Sequence, residues 1–214
     1  EMLSAKSAAI NGFSLFGKEH TFLLDADGNI NYKILNQFLE RNSNKSFLIF
    51  GFTSLVYENL FEKLNLNSIF NNFENGILIH GGGWKKMENK KVRNKDFKNL
   101  LKEKISLKKI YNYYGLVEQT GSIFFECKKC SCFRTSVFSE LLIRDKDFNI
   151  AKKGKKGFIQ LLSLLPRSYP GHNILTEDIG EIIQDNSCEC EKFGTRFIVH
   201  GRLKKSEIRG CSDI

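Results

Sequence analysis

Three strand-like segments that run into glycine, separated by helical patterns, are the feature that most constrains the fold. They are SFLIFGF (46–52), GILIHGGGW (76–84) and KIYNYYG (109–115). Apolar runs of this kind are typical of buried parallel strands. Between them, apolar residues recur at helical spacing in LVYENLFEKLN, which follows Ser54 as a plausible N-cap, and in NKDFKNLLKEKI. This βαβαβ order predicts an α/β fold with a parallel sheet and helices on its faces.

The pattern changes after about residue 135. Short strand-like segments then alternate with turns: SVFSELLIRD, GFIQLLSLL, EIIQD and TRFIVHG. Such a series predicts an antiparallel sheet or a small barrel. We therefore predict an α/β sheet subdomain over residues 1–135 and a smaller antiparallel β subdomain over 136–214. The second subdomain would end in the hinge-like segment GRLKKSEIRG.

Composition narrows the classes of partner. The chain has 214 residues, 41% of them apolar, and a net charge of +9. The charge is explained by solubility or by attraction to a polyanion such as a nucleotide or an acidic partner. The lysines are scattered and no nucleic-acid-binding signature is present, so we expect no nucleic acid. No apolar run approaches the ~20 residues of a membrane span, and no signal-peptide pattern begins the chain, which predicts a cytoplasmic protein without a membrane partner.

Two glycine-rich strand ends are candidate ligand sites, because ligands of doubly wound sheets bind where the strands end. Gly81 to Gly83 would let a ligand approach the backbone closely, or they form a tight turn. Glu118 follows Gly115 in NYYGLVEQTGS, and its carboxylate could hold Mg²⁺ that bridges phosphates. Standing alone, Glu118 would be read as an ordinary surface glutamate.

Two further elements follow along the chain. LTEDIG supplies Asp178, which we expect beside a turn, and GRLKKSEIRG supplies Arg202. An aspartate suits the hydroxyl groups of a ribose as an acceptor, and an arginine suits ribose or phosphate oxygens as a forked donor. The residue types of these four elements suit the ribose and phosphates of a nucleotide, and the elements follow one another in a fixed order along the chain.

That order resembles the acyl-adenylate-forming superfamily of acyl-CoA synthetases and luciferases. The chain looks most like the LuxE-type acyl-protein synthetases, the fatty-acid-activating component of bacterial fatty acid reductases, and more distantly like phenylacetate-CoA ligases. The matching stretches are GFSLFG, LIFGFT, ILIHGGGWKK, NYYGLVEQTGS, LSLLPRSYPGHNILTEDIG and GRLKKSEIRGCSD. They cover almost the whole chain, and the last five are specific.

The resemblance implies the activity of a ligase that uses ATP, forms an acyl-AMP and passes the acyl group to a thiol. It implies that the adenine and acyl pocket is lined by Gly81, Gly82, Gly83 and Trp84. It further implies that Tyr114, followed by Gly115, stacks near the adenine. Glu118 would bind Mg²⁺, Asp178 the ribose, and Arg202 the ribose or a phosphate.

Two departures from the superfamily pattern concern these same residues. Val117 stands where a threonine usually precedes the glutamate, so a phosphate contact would pass to Gln119 or Thr120. Glu177 stands where a glycine usually precedes the aspartate. The Ser/Thr/Gly-rich phosphate loop of such enzymes is not found in this sequence, so we expect this chain alone to adenylate poorly or not at all.

Cys211, in RGCSD, lies close to the last residue of the sequence. A single cysteine there would ordinarily be read as a spare thiol. LuxE-type enzymes carry an acyl-accepting cysteine near their carboxyl end, so the resemblance implies that Cys211 is acylated and that a reductase or carrier protein accepts the acyl group.

Five other cysteines form two clusters, C-x2-C-x-C and C-x-C: Cys127, Cys130, Cys132, Cys188 and Cys190. Reduced thiols at such spacings suit a tetrahedral Zn²⁺, and the alternative is a set of free or buried thiols. The phenylacetate-ligase relatives are similar here and often supply a histidine as the fourth ligand. In this chain Arg134 lies near the position of that histidine, and an arginine is not a zinc ligand. Either Cys130 or Cys132 would therefore be the fourth ligand of a structural site.

Two other functions remain open at this point. One is a truncated or catalytically inert binding module that keeps the adenylate fold and is stabilised by zinc. The other, less favoured, is a basic zinc module for nucleic acid. ATP–pyrophosphate exchange would separate the enzyme from the inert module, and a gel shift with salt titration would test the third class.

Overall fold

The computed structural model of the protein describes residues 5–69, 72–183, 188, 190 and 193–203. The chain divides into two compact units, with the boundary between Tyr111 and Asn112. The strand β3 (Lys109–Gly115) runs across this boundary. The proposed change of subdomain after residue 135 stays a prediction. A five-stranded antiparallel sheet begins close to that position, at Phe133.

The first unit has the α/β character that the sequence predicts. Strands β1 (Phe47–Phe52) and β2 (Gly76–Gly81) pair in parallel, with Phe47 opposite Gly76 and Phe52 opposite Gly81. The helices before and after them are α1 (Ala5–Ser14), α2 (Tyr32–Arg41), α3 (Thr53–Val56) and α4 (Asn94–Ile105). The helix α3 continues as a π-helix over Tyr57–Lys63. Short 3₁₀ turns occupy Leu66–Ser68 and Lys85–Lys90.

Helix α4 shows how the sequence builds the core of this unit. Phe97, Leu101 and Ile105 follow one another at a spacing of four, so they lie on one face of the helix, and all three are buried. Phe97 is in ring contact with Tyr57 and Trp84. The aromatic residues therefore form the centre of the first core.

The predicted N-cap at Ser54 is wrong. The helix begins at Thr53 after Phe52 as the cap residue, and no side chain caps it. The Thr53 hydroxyl instead donates to the carbonyl oxygen of Gly81 at 3.0 Å. A contact between the first residue of the helix and the end of β2 therefore fixes this helix start in place of a local cap.

The second unit is antiparallel, as the sequence predicts. After the short strand β4 (Ile123–Phe125) come β5 (Phe133–Arg134), β6 (Ser139–Arg144), β7 (Gly157–Ser163), β8 (Asn173–Ile182) and β9 (Arg196–Arg202). The last five form one sheet in the order β5-β9-β8-β7-β6, and every pair in it is antiparallel. Its core is formed by Phe124, Phe133, Leu141, Ile143, Ile159, Leu161 and Phe197. The predicted fold class is confirmed.

Across the part of the chain that the structure describes, no helix has the length and apolar character needed to cross a bilayer.

Candidate functional site

The second unit brings Asp178 and Arg202 together. Asp178 lies on β8 directly opposite Arg202 on β9, so their side chains share one face of the sheet. The Arg202 Nε atom is 3.7 Å from Asp178 Oδ1. The expectation that Asp178 sits beside a turn is wrong, because β8 runs unbroken from Asn173 to Ile182. Antiparallel register, which the sequence pattern does not display, is what joins the two residues.

Tyr114 completes a three-residue arrangement with this pair. Its hydroxyl donates a hydrogen bond of 2.7 Å to Asp178 Oδ2. The Tyr114 ring lies among Phe124, Phe133 and Phe197, with centroid distances of 6.2, 6.1 and 6.0 Å. Burial and the neighbouring Asp178 carboxylate raise the pKa of the Tyr114 hydroxyl well above its ordinary value, so it remains a donor.

The carboxyl group of Asp178 is only 13% exposed. Burial raises its pKa, and the Tyr114 hydrogen bond and the Arg202 charge oppose that rise. Glu177 and Glu118 add to it by like-charge repulsion. The Tyr114 hydroxyl and the Arg202 guanidinium thus hold the Asp178 carboxylate in place. A carboxylate has about four lone pairs, so its oxygens can accept further hydrogen bonds.

Glu118 is exposed and lies on a 3₁₀ turn, Val117–Gln119, just after β3. Gly115 lets this connection pass close to the next strand, since a Cβ there would lie 3.0 Å from the carbonyl oxygen of Ser122. The Glu118 carbonyl oxygen also leaves no room for a side chain at Gly171, where a Cβ would lie 2.7 Å away. Two backbone contacts therefore fix the position of the turn.

Side chains from a later loop hold the same turn. Tyr169 accepts a hydrogen bond from the Thr120 amide at 2.9 Å and donates one to the Thr120 hydroxyl at 3.1 Å. Gln119 is fully buried, and its amide nitrogen donates to the carbonyl oxygens of Gly171 and Leu161. Thr120 is exposed, so of the two residues considered for a phosphate contact it is the more accessible. Neither Tyr169 nor Gly171 was singled out from the sequence, although both lie in a matching stretch.

The glycines of the first unit have the backbone freedom that a close approach requires. Gly81 ends β2, and Gly82 and Gly83 follow with φ of 78° and 69°. Positive φ at both positions accounts for glycine there. Trp84 is 8% exposed, and its ring centroid lies 5.0 Å from that of Tyr57 and 6.0 Å from that of Phe97. The pocket-lining roles of these residues stay predictions.

His80 makes a structural hydrogen bond. Its Nδ1 atom lies 3.0 Å from the hydroxyl of Thr53. That hydroxyl has one proton, which it donates to the carbonyl oxygen of Gly81. The imidazole must therefore donate from Nδ1. Burial, with a smaller effect of Lys98, lowers the pKa of His80 to about 3, so the ring is neutral.

Three of the five clustered cysteines come together. The Sγ atoms of Cys127, Cys188 and Cys190 lie within 4.8 Å of one another. Arg134 Nη2 donates to Cys190 Sγ at 2.8 Å. Cys211, together with all of residues 204–214, lies outside the described part of the chain, so its proposed role stays a prediction.

Solved structures of similar fold include an amide bond synthetase from Marinactinospora thermotolerans (15% identity, 82% of this chain and 35% of that chain, TM-score 0.54). A luciferase-like enzyme from the mealworm Zophobas morio (18%, 96% and 48%, TM-score 0.57) is another. A third is ATP-bound MatB from Rhodopseudomonas palustris (12%, 94% and 38%, TM-score 0.57). At these identities the likeness shows the fold alone, and this chain spans less than half the length of each of these structures.

No curated protein matches the chain. The family model described as "Acyl-protein synthetase, LuxE" matches it over residues 1–214. Since this match extends over the whole sequence, the protein belongs to the LuxE acyl-protein synthetase family.

Proposed function

We propose that this chain is part of an ATP-dependent acyl-protein synthetase that converts a fatty acid and ATP into acyl-AMP and pyrophosphate. The observation that carries the proposal is the arrangement of Tyr114, Asp178 and Arg202. A fixed carboxylate between a phenol and a guanidinium is suited to the paired hydroxyl groups of a ribose. Family membership supports the same reaction class.

In this proposal each residue of the arrangement has a separate task. Asp178 accepts hydrogen bonds from the ribose hydroxyls, and Arg202 donates to a ribose or phosphate oxygen. Tyr114 holds the Asp178 carboxylate through its hydroxyl, in addition to the predicted contact of its ring with adenine. Because the carboxylate is already oriented, less conformational freedom is lost when the nucleotide binds.

Glu118 would hold the Mg²⁺ that bridges the phosphates, since carboxylate oxygens are the ligands that Mg²⁺ prefers. The support for this role is its exposed position on a turn held by Tyr169 and Gly171. Either Gln119 or Thr120 remains the proposed phosphate contact, and the exposed Thr120 is the more accessible of the two. Gly81 to Gly83 and Trp84 remain the proposed lining of the adenine and acyl pocket.

The second half-reaction would transfer the acyl group to Cys211. Its thiolate attacks the carbonyl carbon of the acyl-AMP, a C–S bond forms, the bond from that carbon to the phosphate oxygen breaks, and AMP leaves. The thiol proton passes to solvent. A thiolate is a strong nucleophile, and nearby cations lower the pKa of a thiol, which favours cysteines in basic segments such as GRLKKSEIRGCSD. A reductase or carrier protein would then accept the acyl group.

The adenylation step is tested by fatty-acid-dependent exchange of labelled pyrophosphate into ATP. The assay is run on this chain and on a version extended at its amino end. We expect exchange that requires the fatty acid and Mg²⁺ in the extended version and little or none in the chain alone. Absence of exchange in both, with a range of fatty acids, would argue against the proposal.

The transfer step is tested by labelling the extended protein with a radioactive fatty acid and ATP. Label that survives denaturation and is released by hydroxylamine is a thioester. We expect it to disappear in Cys211→Ser and to remain in Cys132→Ser. Undiminished label in Cys211→Ser would place the acceptor elsewhere or on a partner protein.

The second candidate is a catalytically inert module with the adenylate fold, stabilised by zinc. The close approach of Cys127, Cys188 and Cys190 is the observation that favours it. It differs from the first candidate in one measurable respect, since it would show no pyrophosphate exchange in either version of the protein. The cytoplasmic location stays a prediction, to be tested by fractionation of expressing cells.

A further inference from the structure

The cysteine group in the second unit approaches the geometry of a metal site. The Sγ atoms of Cys127 and Cys188 are 3.9 Å apart, and those of Cys188 and Cys190 are 3.0 Å apart. Four sulfurs at ~2.3 Å from a tetrahedral Zn²⁺ lie about 3.8 Å from one another. The first pair therefore already has the separation that zinc requires, and the second would open by less than about 1 Å.

The turn after Cys127 points to Cys130 as the fourth ligand. The backbone amides of Lys129 and Cys130 donate to the Cys127 sulfur, and the Cys130 thiol is hydrogen-bonded to it. Amides directed at the first sulfur of a C-x2-C turn stabilise the thiolate form that a metal requires.

Cys132 faces a different partner. Its thiol donates to the carbonyl oxygen of Cys130 at 3.4 Å, and its own carbonyl oxygen accepts from the Cys127 amide at 2.8 Å. The residue therefore closes the turn through its backbone. Cys130 has the better approach to Cys127, although its sulfur lies outside the 4.8 Å group and a bound ion would draw it in.

The surroundings of the sulfur group are cationic. Arg134 donates to Cys190, and Arg196 lies directly opposite Arg134 on the neighbouring strand. Arg196 is only 8% exposed. Like charges directly opposite each other destabilise a sheet unless an anion lies nearby. Four thiolates around one Zn²⁺ carry a net charge of −2, which would offset both guanidinium groups.

We propose that Cys127, Cys130, Cys188 and Cys190 form a tetrathiolate site for Zn²⁺ and that Arg134 balances its charge by donating to Cys190. Four protein ligands leave no open coordination position, so the ion is structural. It fastens the β4–β5 connection to the β8–β9 connection. The strands on either side of the second connection carry Asp178 and Arg202, so the ion also restrains the arrangement that holds them.

The test compares the metal content of the whole 214-residue chain, purified without chelator in a reducing buffer, with that of two serine variants. We expect about one zinc per wild-type chain, much less in Cys130→Ser, and an unchanged ratio in the matched control Cys132→Ser. A folded wild-type protein free of metal would overturn the proposal. So would loss of zinc in Cys132→Ser with zinc retained in Cys130→Ser.

A second measurement keeps the test decisive if a variant fails to fold. Cobalt(II) added to the metal-free wild-type chain should give the visible bands of a tetrahedral complex and near-ultraviolet thiolate-to-metal charge transfer. Mass spectrometry without reductant should find no bond between Cys188 and Cys190. Stoichiometric formation of that disulfide, or a cobalt spectrum without charge transfer, would contradict the proposal. Neither measurement involves ATP or a fatty acid, so the outcome is independent of the adenylation reaction.

The role of Arg134 is tested by competition with a chelator. Arg134→Gln should bind zinc about 10-fold more weakly, which is the lower end of the effect of losing a partner of a metal ligand. Arg134→Lys, which keeps the charge, should lie between Arg134→Gln and the wild type. Equal affinity in all three proteins would remove Arg134 from the site.

Discussion

His80 in the first unit and Asp178 in the second are both buried titratable groups, but their surroundings differ. The imidazole lies beside Phe97, with ring centroids 4.7 Å apart, and has one hydroxyl partner. Asp178 lies between a phenol that donates to it and a guanidinium. Burial in the aromatic core keeps the His80 imidazole neutral. In the antiparallel sheet, Asp178 and Arg202 lie side by side as groups that a ligand could contact. Both units have apolar cores, so the difference lies in the immediate surroundings of these two residues.

The same difference gives the two residues opposite responses to pH. Burial lowers the pKa of His80 and raises that of Asp178. A lowered histidine pKa makes folding less favourable in acid, whereas a raised aspartate pKa makes it more favourable there. Each response can be removed by one substitution, which allows the comparison to be tested.

The largest effect is expected from Phe97→Ala. Phe97 is 1% exposed and contacts Tyr57, Trp84 and His80, so its loss leaves a cavity that the surrounding rings cannot fill. We expect the free energy of unfolding to fall by about 3–5 kcal/mol. Urea unfolding followed by circular dichroism measures it. Phe16→Ala, at a position 70% exposed, is the control and should change the value by less than about 0.5 kcal/mol.

The next effect is the acid sensitivity contributed by His80. Its pKa is about 3 in the folded state and about 6.5 when unfolded, so its contribution to stability is complete above pH 6.5. That contribution is lost as the pH falls from 6.5 towards 3. His80→Gln should therefore be less sensitive to acid than the wild type in urea unfolding between pH 7 and 4. The exposed residue His20 provides the control, and identical pH profiles of His80→Gln and His20→Gln would contradict the assignment.

Asp178 should act in the opposite direction. Its folded pKa lies above the ordinary value of 3.8, so the folded state binds the proton more tightly than the unfolded state does. The stability that it contributes is present at low pH and is lost as the pH rises from about 3.8 through the raised value. The unfolding free energy of the wild type, measured relative to that of Asp178→Asn, should therefore fall as the pH rises through this window. The exposed Asp147→Asn should show no such shift, and a matching profile would refute the inference.

Tyr114→Phe is expected to act through Asp178. The hydroxyl hydrogen bond lowers the pKa of Asp178, so its removal should raise that pKa further. Loss of a hydrogen bond to a charged group costs roughly 1.5–3 kcal/mol. Carbon-detected NMR titration of the aspartate carboxyl groups measures the shift. Tyr113→Phe removes a hydroxyl from the opposite face of the strand and should leave the titration of Asp178 unchanged.

The smallest effect on stability is expected from Arg202→Gln. The Arg202 side chain is 50% exposed and its Nε lies 3.7 Å from Asp178 Oδ1, so solvent screens the pair. We expect the free energy of unfolding to change by at most about 1 kcal/mol in urea unfolding. A loss of several kcal/mol would mean that this ion pair is a structural element of the second unit.

The sequence predicted the fold well because periodicity reports which faces are buried. The glycine-ended strands of the first unit and the strands β6, β7 and β9 of the second lie where the patterns put them. The segment EIIQD was a poorer prediction, because it supplies only the end of β8, which begins at Asn173. The helix start after β1 was mispredicted because Thr53 bonds to Gly81, 28 residues away, and no local signal reveals that contact.

The site was predicted in its residue types but only partly in its geometry. Asp178 and Arg202 were identified, yet their direct opposition follows from the register of β8 and β9, which depends on the whole sheet. Tyr169 escaped notice because its role depends on meeting Thr120, 49 residues earlier. Contacts of this kind are tertiary, and a pattern along the chain does not encode them visibly.

The most direct test of the account is calorimetric titration with an acyl-sulfamoyl-adenosine, a stable analogue of the acyl-adenylate that measures binding without reaction. The wild-type chain should bind it, and Asp178→Asn should bind at least 10-fold more weakly, which corresponds to about 1.4 kcal/mol. Asp147→Asn should bind like the wild type. Equal affinity of wild type and Asp178→Asn would contradict the claim that the second unit holds the ribose through Asp178.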